Sequence, residues 1–523
     1  MRIPIVLYGL ALVVRLVLIW HFPDPAYPDS FYYVDVARNL VQGHGFNIDL
    51  VWIFPEVGGH IPASPVLPIP SNAHWMPLAS VVQVPFLALL GPTAFASALP
   101  FALLGSIPAP LTWAMAREAR ASARVAAGAG VLVAIPVMSV VYMVQPDNFS
   151  LFQPLVLASL WMGSRGLKGS PRAFAAAGLL AGLATLSRND GLLVLAALGA
   201  AFVWDRWRRR VVPWSAMVLC VALFAIVMTP WWLRQLATFG SLSPSTASGK
   251  VFFIRDIGEW NSITTPATLD HLLGMGIGPL IATRLGGLMA AVMIYVTLVG
   301  GFVLAPFMVI GGWVRRRSLD FGPFFLYAGL LFAFSTLVSA VHVPGGTFIH
   351  SAVALAPHSY VLALEGIAAA VAWVAARRPS WDTTAATRAF SIGAVVCAVG
   401  AAIVGSAFVH GVWADARTRF LRVADALDTA DAPATDRVMS IDAAGTKYWT
   451  GRGGVVLVND PLDTVHDVIT AYDIRWLVLD REDSVRSMAP VLDGTARPAW
   501  IGEPILSLGG PPGLAVYPVE AGS

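Results

Sequence analysis

A chain of 523 residues has the length of three or four soluble domains, but 57% hydrophobic and only 12% charged residues, with a mean hydropathy of +0.69, place it among polytopic membrane proteins. The formal net charge of +3, with no basic run beside a readable nucleic-acid motif, gives no support to DNA or RNA as partner, and the same composition excludes intrinsic disorder. Cys220 and Cys397 both sit in apolar runs, so neither a disulfide framework nor a cysteine metal site is on offer, and both read as packing residues.

Residues 3–20 form an apolar run interrupted by Arg15, with no small-residue cleavage site behind it, and read as an uncleaved first span with a cytoplasmic N-terminus. Apolar stretches near 93–116, 125–144, 149–164, 173–187, 191–204, 213–229, 289–312, 321–341, 355–376 and 389–409 bring the expectation to about eleven transmembrane helices. The segment 75–90 is ambiguous, being short and carrying Pro77 and Pro85. If it does not cross, Arg117/Arg120/Arg124, Arg165/Lys168/Arg172, Arg206/Arg208/Arg209/Arg210, Arg315/Arg316/Arg317 and Arg377/Arg378/Arg388 all share the side of Arg2, as the positive-inside rule requires. It is therefore expected outside as an interfacial or re-entrant helix, and the odd span count exports the C-terminus.

The expected organisation is a membrane domain over 1–410, with an exported loop 21–92, and a small exported α/β domain over 411–523. The tail earns that reading from β-rich runs at 438–442, 455–458, 475–480 and 514–517 and helical periodicity at 412–428 and 462–471. In the exported loop, residues 28–42 have two faces when wound as a helix. Tyr33, Val36, Ala37, Leu40 and Val41 lie on one side and Asp35, Arg38, Asn39 and Gln42 on the other, the pattern of a helix lying in the membrane surface. Asp29 at its start has two readings: an N-cap, or a general base at the lipid–water boundary within reach of a membrane-held substrate and an aqueous acceptor.

The run from Asp29 to Phe46, with Asp29, Tyr33, Ala37, Asn39, Leu40, Gly43, Gly45 and Phe46 at its marked positions, follows a first span containing an arginine. It resembles the opening of GT-C fold glycosyltransferases, among them protein O-mannosyltransferases and lipid A aminoarabinose transferases. The resemblance continues through His74-Trp75-Met76-Pro77-Leu78, Pro146-Asp147, Leu186-Ser187-Arg188-Asn189-Asp190-Gly191 and Pro230-Trp231-Trp232-Leu233-Arg234 with Phe239-Gly240. Two positions depart from the family pattern. Asp29 is followed by Ser30 rather than a second carboxylate, whose role is unfilled or passes to Asp24 or Asp35, and His350 stands where relatives often carry an arginine.

The resemblance implies a sugar donor on a polyprenyl phosphate, a glycan, lipid or protein acceptor, and membrane lipids as surroundings. Asp29 is then the base, and transfer inverts the anomeric carbon. Arg188 is the first candidate to hold the departing phosphate, against a reading as an interfacial snorkelling residue. His350, Tyr33 and Arg234 are further donor or substrate contacts. Asp147 either begins the helix from Asn148 or orients the acceptor or a cation; a divalent cation is the one cofactor left open, and His342, His350 and His358 make no metal site because Pro344, Gly345 and Gly346 break the helix between them. Arg15 and Glu365, both inside apolar spans, are expected to pair with one another. Trp231, Trp232 and Trp260 either form an interfacial belt or stack on sugar faces, the belt being favoured. The rival functions are a transporter or flippase of a lipid-linked sugar, and a scaffold whose exported domain binds wall polymers or a partner.

Overall fold

The computed structural model describes residues 2–137, 139–244, 252–378, 380–481, 485–509 and 513–520. Residue 138 of the expected span 125–144 and residues 245–251 of the loop after 230 lie outside the described residues. The chain divides into two compact units, one of Met1–Asp24, Met76–Trp232 and Thr283–His410, the other of Pro25–Trp75, Leu233–Ala282 and Gly411–Ser523.

The first unit is helical. Among the described residues, six helices are long and apolar enough to cross a membrane by length and composition: Arg2–His21, Ala94–Glu118, Trp214–Phe239, Ile277–Val299, Thr347–Ala375 and Thr383–Thr429. Shorter apolar helices span Leu78–Leu90, Ala123–Ala134, Pro171–Ser187 and Gly322–Leu337. Apolar side chains point outward on these helices, as Val13, Val17, Val218, Ile226, Ile281, Met289, Val396, Ile403 and Phe408 show. A water-facing protein hides such a surface; hydrocarbon accepts it. The chain is a multi-pass membrane protein.

Helices approach closely where glycine allows it. A β-carbon at Gly311 would lie 1.9 Å from the Leu362 carbonyl oxygen, and one at Gly366 2.0 Å from that of Phe307, so the helices Ala305–Arg315 and Ala356–Ala375 touch backbone to backbone. In lipid, where apolar burial drives no association, such close contact is what holds helices together. Cys220 is buried against another such approach at Gly178, whereas Cys397 is exposed on its helix.

Several expectations are revised here. The stretch 289–312 is not one helix: Ile277–Ile294 passes through a π-turn at Tyr295–Val299 and breaks at Gly301 and Phe302, both with positive φ, before Ala305–Arg315 begins. The helix expected over 125–144 stops at Ala134, because Pro136 follows. Glu365 pairs with Arg315, whose Nε donates to Oε2 at 2.7 Å, and not with Arg15. Arg15 is fully buried and gives Nη1 to the carbonyl oxygens of Ala11 at 3.1 Å and Ala134 at 3.0 Å, closing the C-terminal turn of Ala123–Ala134. The segment 75–90 is helical only from Leu78–Val81 and Val84–Leu90, which together reach roughly 20 Å and fall short of a ~30 Å hydrocarbon core.

The second unit is α/β. Its six-stranded sheet has the order β2 (Leu50–Val51), β5 (Gly454–Val456), β4 (Arg437–Ser440), β6 (Ile474–Asp480), β8 (Leu514–Pro518), β7 (Leu506–Leu508), parallel from β2 to β6 and antiparallel beyond. The strand β1 (Asn47–Ile48) pairs separately with β3 (Ile69–Pro70). Val423, Leu427, Val438, Val478, Leu514 and Val516 form the core between the sheet and the end of Thr383–Thr429.

The helix Pro28–Val41 does not lie with its polar side in water. Ser30 through Ala37 are all buried, Asp35 is paired with Lys447 at 3.2 Å, and Arg38 stands 4.7 Å over the Tyr448 ring. Burial pushes the Asp35 carboxyl up from its ordinary range and Lys447 opposes the shift, so the charged stripe read from the sequence is a docking face for Ala443–Thr450.

Candidate active site

The expected site residues fall into two groups, one in each unit. In the first unit, Pro146-Asp147 precedes the helix Phe149–Leu167, and Asp147 is fully buried. The His350 Nδ1 lies 3.4 Å from Asp147 Oδ2 and 3.2 Å from Asn148 Oδ1, while the His350 ring stacks on Phe149 at 4.2 Å between centroids. His350 reaches this position because Gly346, at a φ of 99°, turns the chain into the short helix Thr347–Ala352. The arrangement brings together two residues that lie far apart along the chain.

Arg188 ends the helix Pro171–Ser187 in extended backbone, and its guanidinium is held by neighbouring side chains and backbone. Its Nε lies 2.8 Å from Asp190 Oδ1 and donates to Ser351 Oγ at 3.1 Å, while Nη2 donates to the Thr347 carbonyl at 2.9 Å. The Ser351 hydroxyl in turn donates to Asp190. Asp190 was legible only as part of a motif; its role as the counter-charge that fixes Arg188 was not. Asp147, Asn148 and His350 offer carboxylate, amide and imidazole ligands, a set that fits a divalent cation. His358 stacks on Phe324 at 4.7 Å inside its helix, and the His342 carbonyl accepts from Thr347 Oγ1 at 2.9 Å.

In the second unit, Asp29 occupies the first turn of Pro28–Val41, where the helix dipole favours a carboxylate. The capping work is done by Ser30, whose hydroxyl accepts from Ala26 N at 3.0 Å and Tyr27 N at 3.1 Å. The partly exposed Asp29 carboxylate accepts the Trp75 indole N–H at 2.8 Å through Oδ1. Trp75 is itself fixed by stacking on Tyr32 at 4.0 Å, and the Tyr32 hydroxyl accepts from Asn72 N at 2.7 Å and donates to Glu56 Oε1 at 3.1 Å. Tyr33 is buried edge-to-face against Tyr32. Arg234 donates to Gln235 Oε1 at 2.8 Å and lies between the Phe46 and Phe239 rings, 5.5 and 5.1 Å from their centroids.

A carboxylate oriented by an indole N–H and left partly open is a group that can take a proton. A guanidinium locked by an aspartate and two oxygens can present charge to an anion without reorganising. Both fit group transfer.

A family model described as dolichyl-phosphate-mannose-protein mannosyltransferase matches residues 73–233. No curated protein matches the sequence. Among solved structures, ArnT from Cupriavidus metallidurans in the apo state is similar with a TM-score of 0.59 at 14% identity, over 99% of this chain and 98% of that one. The same protein bound to undecaprenyl phosphate gives 0.57 at 13% identity, over 98% and 97%. The oligosaccharyltransferase of Archaeoglobus fulgidus in complex with Zn and sulfate gives 0.58 at 14% identity, over 99% of this chain and 73% of that one. At such identity the likeness establishes architecture: the chain has the GT-C fold of membrane glycosyltransferases.

Proposed function

We propose that the protein is an inverting membrane glycosyltransferase that moves a sugar from a polyprenyl-phosphate donor to an acceptor hydroxyl on the exported face. The observation that carries this reading is Asp29, a partly open carboxylate whose orientation is set by Trp75 in a chain of GT-C fold. The family match over 73–233 and the likeness to a protein solved with undecaprenyl phosphate support the donor class.

In the proposed reaction the acceptor hydroxyl attacks the anomeric carbon and its proton passes to Asp29. The bond from that carbon to the phosphate oxygen breaks and its electron pair leaves with the polyprenyl phosphate. Phosphate is a good leaving group, so no strong general acid is required; a base and positive charge suffice. Arg188 supplies that charge, held in place by Asp190. His350 contacts sugar or phosphate, Asp147 orients the acceptor or a divalent cation, Arg234 adds a second positive group for the donor, and Tyr33 supports the substrate side of the helix Pro28–Val41. The N-terminus is cytoplasmic and Gly411–Ser523 is exported.

Two variants test the assignment. Asp29→Asn keeps the shape and the acceptor for Trp75 but cannot take the proton, so transfer should be abolished while undecaprenyl phosphate still binds. Removal of Arg188 strands Asp190, so Arg188→Ala is best made together with Asp190→Asn; donor binding should weaken by roughly 1.5–3 kcal/mol, the worth of a hydrogen bond to a charged group. Near-normal transfer by Asp29→Asn would remove Asp29 as the base, and a wild type that moves lipid-linked sugar without transferring it would return a transporter to first place.

A further inference from the structure

Asp29 is the edge of an aromatic cluster that its proposed role as base does not use. The indole of Trp75 that donates to Asp29 lies 5.9 Å from Trp52 and 5.1 Å from the His74 ring, centroid to centroid. Trp260 closes the group from a different part of the chain, 5.4 Å from Trp52 and 5.7 Å from His74, and rests on Phe54 at 5.0 Å. The buried members, Trp75, Phe54 and Tyr32, form a floor. Trp52, His74 and Trp260 are partly exposed.

Trp260 therefore belongs to no row of tryptophans along a span. It sits in the short 3₁₀ turn Ile257–Asn261, tied to the segment that follows β5 by Asn459, whose Nδ2 donates to Gly258 O at 3.0 Å and whose backbone N donates to Asn261 O at 2.9 Å. The turn is braced further by Asp460, which accepts from Ser262 Oγ at 2.7 Å and Ile263 N at 2.8 Å. A partly exposed tryptophan held this firmly is presented, not merely packed.

A polar atom adds a second observation. The Trp52 Nε1 is shielded from solvent and has no hydrogen-bond partner among the described residues. A buried N–H without an acceptor is costly unless something else supplies one. Ring faces with a donor N–H among them, beside a carboxylate able to take a proton, match one ligand chemistry well: a sugar ring stacks its C–H face on aromatic rings while its hydroxyls accept and donate hydrogen bonds.

We propose that Trp52, His74 and Trp260 form an acceptor-sugar subsite, so that the hydroxyl delivered to Asp29 belongs to a saccharide and not to a serine or threonine of a protein. This deepens the glycosyltransferase reading and rests on it. Trp260 stacks on the sugar, Trp52 donates its indole N–H to a ring hydroxyl once a small shift of the surrounding side chains uncovers it, and Trp75 stays beneath as the positioning residue of Asp29.

The test uses the full chain in lipid nanodiscs with a radiolabelled polyprenyl-phosphate hexose, offered either a mixture of soluble oligosaccharides or a mixture of serine- and threonine-containing peptides. Saturation-transfer NMR reads oligosaccharide binding without turnover. The oligosaccharides should accept label, and both Trp260→Ala and Trp52→Phe should raise their KM about tenfold, as loss of a hydrogen bond or stacking contact would, with a smaller change in kcat and undecaprenyl phosphate affinity as in the wild type. Trp52→Phe keeps an aromatic side chain at this position while removing the donor, so its effect does not depend on how well Trp260→Ala folds. Label on the peptides alone, no oligosaccharide binding by the wild type, or unchanged oligosaccharide KM in both variants would overturn the subsite while leaving Asp29 as base. Oligosaccharide binding that both variants lose, in a wild type that transfers nothing, would keep the subsite and remove the catalytic reading instead.

Discussion

Glu56 shows how one side chain couples the aromatic cluster to pH. It ends the helix Ile53–Glu56 almost fully buried, with Oε2 accepting from Trp52 N at 2.8 Å and Oε1 from the Tyr32 hydroxyl. Burial lifts its pKa from 4.5 to about 7, and the two hydrogen bonds only partly oppose the rise. The folded state then holds a proton between pH 4.5 and 7 that the unfolded state has released, so stability falls as pH rises through this window and levels off above it. At about 1.4 kcal/mol per unit the full change is on the order of 3 kcal/mol. The melting temperature of the wild type should fall between pH 5 and 8, and Glu56→Gln, which has no proton to lose, should flatten that slope whatever its absolute stability. An unchanged slope would place the titration elsewhere.

At the scale of elements, glycine contacts separate what a helix needs from what its partner needs. Gly366→Val drives a β-carbon into the Phe307 carbonyl, an atom that no rotamer change can move, and should cost about 3 kcal/mol or more. Gly400, with nothing within 4 Å, should accept alanine with a gain of roughly 0.5–1 kcal/mol from reduced chain entropy. Thermal inactivation of the two purified variants against the wild type checks the contrast; equal behaviour would mean that the helices Ala305–Arg315 and Ala356–Ala375 are not in contact. The sequence did not show this contact, because a glycine in an apolar run looks the same whether it faces lipid or a neighbouring backbone. For the same reason the partner of Glu365 was misread. Depth in a span is legible, but the facing helix is not, and Arg315 lay in a cluster that topology alone had explained. The tail strands were legible, since alternation and β-branched residues at 438–440, 474–480 and 514–518 mark them, whereas β2 has only Leu50 and Val51 and joins the sheet by tertiary pairing. Asp29 and its neighbours were readable as a motif; that Trp75 orients the carboxylate 46 positions away was not.

For the whole molecule, the decisive element is the helix Thr383–Thr429. Its 47 residues measure roughly 70 Å, more than twice the ~30 Å hydrocarbon core. Only its apolar part, 389–409, can lie in lipid, because Asp415, Arg417, Arg419, Arg422, Asp425 and Asp428 follow and Arg419 is already paired with Asp480 at 2.8 Å. A single crossing by this helix puts its two ends on opposite sides whatever the number of other spans, which makes it the element to test. Arg377, Arg378 and Arg388 precede this apolar part, so the positive-inside rule predicts a cytoplasmic start and an exported end for the helix. Thr384 and Thr429 are exposed near the two ends, and cysteines there, in a background with Cys220 and Cys397 replaced, report the sides directly. An impermeant maleimide added to intact cells should label Thr429→Cys and spare Thr384→Cys until the membrane is opened. Because Gly411–Ser523 and Pro25–Trp75 belong to one compact unit, the label at position 429 also reports the side of Asp29. Labelling of Thr384→Cys alone would put that carboxylate in the cytoplasm and end the case for transfer on the exported face.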